Sequence, residues 1–373
     1  MGLHFEVERD LFARALASIQ HLTQRRSLAP ILSHVYLGGK EGRLEMYATD
    51  FDMAVEKRIP AEIHTEGEVA LPGRLLYEVI HRAKGSKVIC QVDERFHGQL
   101  LLGDRSKYRL VGMDPSEFPP RQKLPEKKGV VLKGGDLLRW VKKTLFAASN
   151  DESRPALSGV YLEVVPSRNL LCFVATDTHR LALLEIPFAE MGEGFLPAEG
   201  VILPRRSLLE LPRILEDRWE LEFSFSAPYV FLKGDDTTIL FRTVEGKFPA
   251  YRNVIPQGGS RQVWVGRKEF LEALGRIGLL IPDRFKGVRL SFEGRQITIY
   301  AHHPEAGEGM EVIEAEMKGD PLTIGFNAVY LEEPLEGIDT ERVELRFNDE
   351  SAPVVLLPEG DESYLNVIMP MRL

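Results

Sequence analysis

The sequence predicts an α+β fold built three times in tandem, and three observations carry that prediction. First, one short motif recurs: Ser33 opens Ser-His-Val-Tyr-Leu, Ser158 opens Ser-Gly-Val-Tyr-Leu, and Gly287-Val-Arg-Leu290 stands in the same context. Second, each motif is followed by a strand-like run with a short polar end: Met46-Tyr-Ala-Thr-Asp50, Phe173-Val-Ala-Thr-Asp177 and Ile299-Tyr-Ala-His-His303. Third, the period is about 125 to 130 residues, a whole domain rather than a solenoid unit, and three periods fill the 373-residue chain. Helix-then-strands order within each third, without strict β/α alternation, selects α+β over a doubly wound fold.

The elements follow in order. An amphipathic helix is predicted near Arg9 to Leu22, with Leu11, Ala15, Leu16 and Ile19 as its apolar stripe and Arg14 off that face. Strands at Val35–Leu37, Leu44–Ala48 and Met53–Ile59 come next. A second helix begins at Pro72, which suits a first turn because its missing N–H is unpaired there anyway, and Gly85 is its stop. Strands at Val88–Val92, Gln99–Leu102 and Tyr108–Gly112 complete the first copy. The second copy reads as helix Asp136–Ala148, strands Val160–Val164 and Leu171–Ala175, helix Arg205–Leu215, then strands Leu221–Phe225, Val230–Leu232 and Ile239–Thr243. The third reads as helix Arg267–Leu279, strands Val288–Phe292 and Gln296–Ala301, a weak helix from Phe326, and strands Val343–Phe347, Val354–Leu357 and Leu365–Ile368.

Phe118-Pro119-Pro120 and Phe248-Pro249 mark the boundaries, each followed by a Pro-rich polar segment that reads as a stiff linker. The expected domains are 1–121, 129–250 and 260–373. Tyr108 to Met113 and Tyr364 to Met369 are spaced identically, so the C-terminal segment is the last strand of the repeat.

Apolar content of 44% and charged content of 28% are those of a globular domain. No window approaches a membrane span, and the N-terminal ten residues lack the basic and apolar regions of a signal peptide. Cys90 and Cys172 sit in apolar strand-like runs, which predicts buried free thiols and a cytoplasmic setting. The net charge of −9 argues against nonspecific nucleic-acid binding when taken as a sum.

Searches for catalytic chemistry return little. There is no phosphate-loop or dinucleotide glycine pattern and no His-Glu-x-x-His or Cys-x-x-Cys spacing, so no metal or cofactor is expected. His302, His303 and Glu305 do not form a cluster, because neighbours in a strand point to opposite faces. Thr176-Asp-Thr-His-Arg180 is the most polar string, and Asp177 with His179 defines an alternative reading as an enzyme acting on DNA. No nucleophile or second carboxylate accompanies the pair. Asp50 recurs in the first copy without a histidine, and an Asp that caps a tight turn accounts for both copies.

The cations are distributed unevenly. The predicted helices and their exits carry Arg9, Arg14, His21, Arg25 and Arg26; Arg74, His81, Arg82 and Lys84; Arg139, Lys142 and Lys143; Arg205, Arg206, Arg213 and Arg218; and Arg267, Lys268 and Arg276. Cations repeated on equivalent helices would attract phosphates without reading bases. No aromatic ladder accompanies them, which argues against single-strand binding.

Six segments run through the chain in order: Leu28-Ala-Pro-Ile-Leu with Ala48-Thr-Asp50, Arg154-Pro-Ala-Leu-Ser-Gly159, Ala175-Thr-Asp-Thr-His-Arg-Leu-Ala182, Phe248-Pro-Ala-Tyr-Arg-Asn-Val-Ile-Pro256, Phe285-Lys-Gly-Val-Arg-Leu290 and Met369-Pro-Met-Arg-Leu373. On these segments the chain resembles, over its whole length, the bacterial sliding clamps, the β subunits of DNA polymerase III. The resemblance implies a DNA-clamp fold: helices lining a ring, sheets outside, and a head-to-tail homodimer encircling duplex DNA without an active site of its own. The implied DNA-facing residues are Arg26, Arg74, Arg82, Arg139, Lys142, Lys143, Arg205 and Arg206. The implied seam between protomers sets Tyr108 and Leu110 against Leu279 and Leu280.

The resemblance also implies a pocket for partner peptides, made of Leu157, Thr176, Thr178, His179, Arg180, Leu181, Pro249, Asn253, Val254, Val367, Ile368, Met369, Pro370, Met371 and Arg372. The implied partners are the polymerase III catalytic subunit, the clamp loader, repair polymerases and mismatch-repair proteins. Thr178 stands where the family usually has Gly, and Asn253 where Arg is frequent. Pro212 and Pro334 fall inside predicted helices, and the last helix carries Glu332, Glu333 and Glu336 rather than cations. These departures raise the reading of a specialised, non-replicative paralogue.

Overall fold

The computed structural model describes residues 2–24, 29–103, 105–126, 129–151, 153–187, 196–281 and 287–372. Among them are six α-helices: α1 (Arg9–Ile19), α2 (Gly73–His81), α3 (Gly134–Leu145), α4 (Arg205–Ile214), α5 (Arg267–Gly278) and α6 (Ala328–Gly337). Arg25, Arg26, Leu28, Lys127, Lys128, Phe285, Lys286 and Leu373 lie outside the described residues.

Each third begins with a strand, then a helix, as the repeat requires: His4–Glu8 before α1, Val130–Lys133 before α3 and Arg261–Gly266 before α5. In α1 the buried positions Phe12, Ala15, Leu16 and Ile19 recur every three or four residues, and Arg14 is exposed. The helix predicted to run to Leu22 stops at Ile19 and tightens into a 3₁₀ turn over Gln20–Gln24, where Thr23 Oγ1 donates to the Gln20 carbonyl at 2.7 Å. Pro72 is the N-cap of α2 and the last residue of a strand, one position before the first turn expected for it. Pro212 and Pro334 both lie inside helices, and α4 and α6 each end within a turn after their proline.

Packing divides the chain into two compact units, residues 1–138 with 209–243, and residues 139–208 with 244–373. The first unit holds two sheets. In the five-stranded sheet the order is Glu62–Thr65, His4–Glu8, Lys87–Val92, His97–Leu102 and Ser106–Val111. In the eight-stranded sheet, Thr237–Arg242 of the second third pairs antiparallel with Met53–Pro60 of the first, with Leu240 opposite Ala54. The second unit holds a twelve-stranded sheet with the corresponding junction: Tyr364–Ile368 of the last third pairs antiparallel with Arg180–Pro187, with Val367 opposite Leu181. The last strand of one third therefore completes the sheet of the third before it, twice over.

Both Phe-Pro boundaries are docked rather than loose. Phe118 meets Tyr36 and Tyr47 edge-on at 6.3 and 5.8 Å. The Arg121 guanidinium covers the same two rings at 4.3 and 4.6 Å and reaches Glu45 and Glu56. In the second unit Phe248 stacks on Tyr161 at 4.7 Å, and the Tyr251 hydroxyl donates to Glu163 at 2.5 Å. Tyr36 and Tyr161 are the tyrosines of the two Ser-x-Val-Tyr-Leu motifs, so the repeat supplies each boundary phenylalanine with its partner ring.

The polar ends of the first two copies fold identically. Asp50 Oδ1 accepts from the backbone N–H of Asp52 and Met53 at 3.1 and 2.8 Å, and Thr49 Oγ1 donates to the Met53 carbonyl at 2.9 Å. Asp177 Oδ1 accepts from His179 and Arg180 at 2.9 and 3.1 Å, and Thr176 Oγ1 donates to the Arg180 carbonyl at 2.7 Å. Each turn forces its third residue into the left-handed region, Phe51 at φ 73° and Thr178 at φ 80°. For a β-branched residue this conformation costs on the order of 1–2 kcal/mol. Thr178→Gly is therefore expected to stabilise the protein by about 1 kcal/mol, read as an upward shift of the urea midpoint; a downward shift contradicts it.

Both cysteines are free and buried, as expected. Burial pushes the Cys172 thiol up to about 11 and the Cys90 thiol up to about 12, from an ordinary value of 9.0. Burial, then Glu163, raises the Tyr161 hydroxyl from 10.0 to about 12. All three folded values lie above the unfolded ones, so the unfolded chain releases these protons first. Their contribution to stability is complete below pH 9 and is lost as pH rises through 11 to 12. Denaturation midpoints are expected to fall across that alkaline window, and Tyr161→Phe should flatten the part of the fall above pH 10.

Candidate partner-binding site

The residues expected to form a pocket separate into a buried set and an exposed set. Leu157, Thr176, Leu181, Val367 and Ile368 are buried. Leu181 and Val367 join Phe248 and Tyr251 in one apolar cluster, because the Leu181–Val367 register sets both side chains on one face of the sheet. In the exposed set are Thr178, His179, Pro249, Asn253, Met371 and Arg372, with Val254 55% and Met369 40% exposed, and Pro370 is half-buried. The chain end is fixed by backbone bonds: the Met369 N–H donates to the His179 carbonyl at 2.9 Å and the Met371 N–H to the Gly325 carbonyl at 2.7 Å. Met369 thus stands against the Thr176–Arg180 turn and Met371 against Gly325, both with flexible, polarizable side chains at a surface.

Arg180 occupies a different role from a free cation. Its Nε donates to Asp177 Oδ2 at 3.1 Å, its Nη2 to the Phe146 carbonyl at 2.7 Å, and its Nη1 pairs with Glu333. The guanidinium also lies 4.4 Å from the Tyr330 ring, and His179 is near-parallel to Tyr330 at 6.5 Å. Arg180 is therefore a brace that ties the turn to α6. The sequence marks Glu333 only as one of three acidic residues on the last helix and does not single out Tyr330 or Phe146; the signal available was the i, i+3 spacing of Tyr330 and Glu333, which sets both on one helix face.

The alternative of a DNA-acting enzyme is overturned here. Asp177 Oδ1 accepts from two backbone N–H groups and Oδ2 from Arg180, so the carboxylate shapes the turn and braces Arg180, and the family shown below acts without catalysis.

The expected DNA-facing cations fall into two groups. Arg74, Arg139, Lys142 and Arg206 are exposed on their helices. Arg82 is exposed but paired with Glu78 at 2.9 Å, and Lys143 is largely covered, paired with Asp339 at 3.1 Å and set over the Tyr364 ring. Arg205 is half-buried, and burial followed by the nearby Arg180 lowers its affinity for a proton. Arg26 lies outside the described residues. The α6 helix carries no Lys or Arg.

Of the residues expected at a seam between protomers, Tyr108 is exposed, Leu279 is 86% exposed and Leu280 is half-buried over Gly309. Leu110 corrects the expectation: it is 4% exposed and belongs to the core of its own domain, because Ser106–Val111 turns that side chain inward. Val111, 67% exposed, is the apolar residue presented at that edge.

Among the described residues no helix is long and apolar enough to cross a membrane. Family models for the N-terminal, central and C-terminal domains of the DNA polymerase III beta subunit match residues 3–124, 131–250 and 252–372. The beta sliding clamp of Pseudomonas putida is 32% identical over 374 residues, covering 100% of both chains. That of Caulobacter vibrioides is 30% identical over 374 residues, covering 98% of this chain and 99% of the relative. The crystal structure of the Bacillus subtilis DNA polymerase sliding clamp matches with a TM-score of 0.93 at 25% identity, both chains covered in full. With all three domains matched in order and the fold shared, the chain belongs to the DNA polymerase III beta-subunit family, the beta sliding clamps, and has that family's role of a processivity factor without catalysis.

Proposed function

We propose that two copies of this chain pair head to tail into a ring around duplex DNA and tether the polymerase III catalytic subunit to it. The observation that carries this reading is an unfinished pattern. Within the chain, the last strand of the second third completes the sheet of the first, and the last strand of the third completes the sheet of the second. The last strand of the first third, Ser106–Val111, is the edge of its sheet. The strand that follows the polar end of the third copy, Gly307–Lys318, pairs through Ala315–Lys318 on one side, leaving that edge open along its first half among the described residues. Met310 and Val312 are exposed there, as Tyr108 and Val111 are on the other edge. Open edges with apolar side chains invite a further strand, and a second copy supplies the missing pairing in both directions. Leu279 and Leu280 lie beside the second edge and belong to the same seam.

The exposed cations Arg74, Arg139, Lys142 and Arg206, with Arg82, Lys143, Arg205 and Arg26, give the DNA a sequence-independent attraction weak enough for sliding. The clamp loader, repair polymerases and mismatch-repair proteins dock short peptides on the apolar residues and methionines around His179, in the cytoplasm. A tethered partner gains effective concentration at the primer end without any new contact to the bases.

Retention on DNA tests the ring. Loaded onto nicked circular DNA, the protein is expected to stay bound, and linearising the circle should release it within the dead time of gel filtration. Equal retention on both forms, or sedimentation as a monomer at micromolar concentration, overturns the reading. The peptide site has its own test. His179→Ala and Met371→Ala are each expected to weaken binding of the polymerase C-terminal peptide about tenfold, or ~1.4 kcal/mol, in fluorescence anisotropy with unchanged melting temperature. Unchanged affinity in both variants removes this surface as the docking site.

A further inference from the structure

The outward face of the first sheet carries a group of side chains that the clamp role does not use. Strand His4–Glu8 turns Phe5 and Val7 into the core, which leaves His4, Glu6 and Glu8 pointing out. The edge strand Glu62–Thr65 pairs with it antiparallel, Glu6 opposite Glu62 and Phe5 opposite Ile63. A register shift between His4 and Phe5 then sets Thr65 rather than His64 opposite His4. The result gathers two histidines and two carboxylates on one face of two strands. One ligating atom each from Glu6, Glu62 and His64 lies within 4.8 Å of the others, and the His4 ring centroid is 4.6 Å from that of His64.

We propose that His4, Glu6, Glu62 and His64 bind a borderline divalent cation of the zinc class. The donor set is mixed imidazole and carboxylate, which suits zinc and disfavours calcium and magnesium, whose shells are all oxygen. Metal–ligand bonds of about 2.0–2.2 Å require donor atoms roughly 3.4 Å apart. Closing from within 4.8 Å to that spacing takes a movement of roughly 1.4 Å or less, and Glu62 and His64 are exposed on an edge strand. His64 Nδ1 is already 3.8 Å from Glu62 Oε1. His4 Nε2 is 3.4 Å from the Gln91 amide and lies outside the three-atom cluster, so His4 joins as a fourth donor only when its ring leaves that contact and turns toward His64, 4.6 Å away between centroids. Lys87 is the resident cation: its Nζ pairs with Glu6 Oε1, on the neighbouring strand Lys87–Val92. The carboxylate pair has thus collected one positive charge, and a metal ion competes with that ammonium for Glu6. Occupancy pins the edge strand to the first strand of the domain.

The proposal is independent of the ring and is tested on the full chain with zinc chloride alone, titrated against a chromophoric chelator. One ion per chain is expected with micromolar affinity. His64→Ala and Glu62→Gln should each weaken it about tenfold or more. Lys87→Met should tighten it several-fold, because the donors stay and the competing charge goes. That reversal of sign separates a built site from general adsorption to an acidic surface, which losing Lys87 would affect no more than losing any other lysine. Saturating zinc should raise the melting temperature of the parent protein and not that of His64→Ala. Absence of saturable binding, an unchanged affinity in His64→Ala, or weaker binding in Lys87→Met overturns the proposal.

Discussion

The structure depends on one kind of junction: a last strand from one third laid antiparallel on the strand that follows the Thr-Asp turn of another. Thr237–Arg242 on Met53–Pro60 and Tyr364–Ile368 on Arg180–Pro187 are its two instances. The backbone groups of a sheet interior must be paired, so neither receiving sheet is complete without its donor. Register is equally constrained, because a slip of one residue would turn Leu181 and Val367 away from the cluster they share with Phe248. The saturated Asp50 and Asp177 turns lie at the mouth of each junction and fix where the receiving strand begins.

The same geometry explains where function and stability separate. Arg180, at the first position of its strand, is spent on Asp177, Glu333 and a carbonyl, so the turn beside the chain end is rigid and electrically quiet. What remains exposed there mixes apolar and polar side chains: Val254, Met369 and Met371 with Thr178, His179, Asn253 and Arg372. On the helices some of the expected DNA-facing cations are exposed, and others, Arg82 and Lys143 among them, are partly neutralised by a paired carboxylate.

Much of this was legible in the sequence, for a physical reason. The helices with strong amphipathic stripes and the strands with continuous apolar runs were found within a few residues, and the Thr-Asp strings announced their turn through side-chain chemistry alone. Gly307–Lys318 was missed because four glutamates interrupt it, leaving Ile313 and Ala315 as its buried apolar residues. Glu62–Thr65 was missed as an edge strand of four residues with two charged or polar positions outward. Leu110 was misplaced because a sequence marks a side chain as apolar but not which neighbour covers it. The brace role of Arg180 lay beyond reading, since Glu333 and Phe146 are distant in sequence and close only in the fold.

The docked boundaries have a mechanical consequence. A proline-containing linker is often a joint, able to absorb displacement while the bodies it connects stay intact. Here Phe118 is gripped by Tyr36, Tyr47 and the Arg121 side chain, and Phe248 by Tyr161 and Tyr251. Each boundary phenylalanine is thus an anchor on the sheet it leaves, so the chain departs from both sheets at a fixed point. Loosening either grip by Tyr36→Ala or Tyr161→Ala would free the residues that follow before it opened the sheet itself.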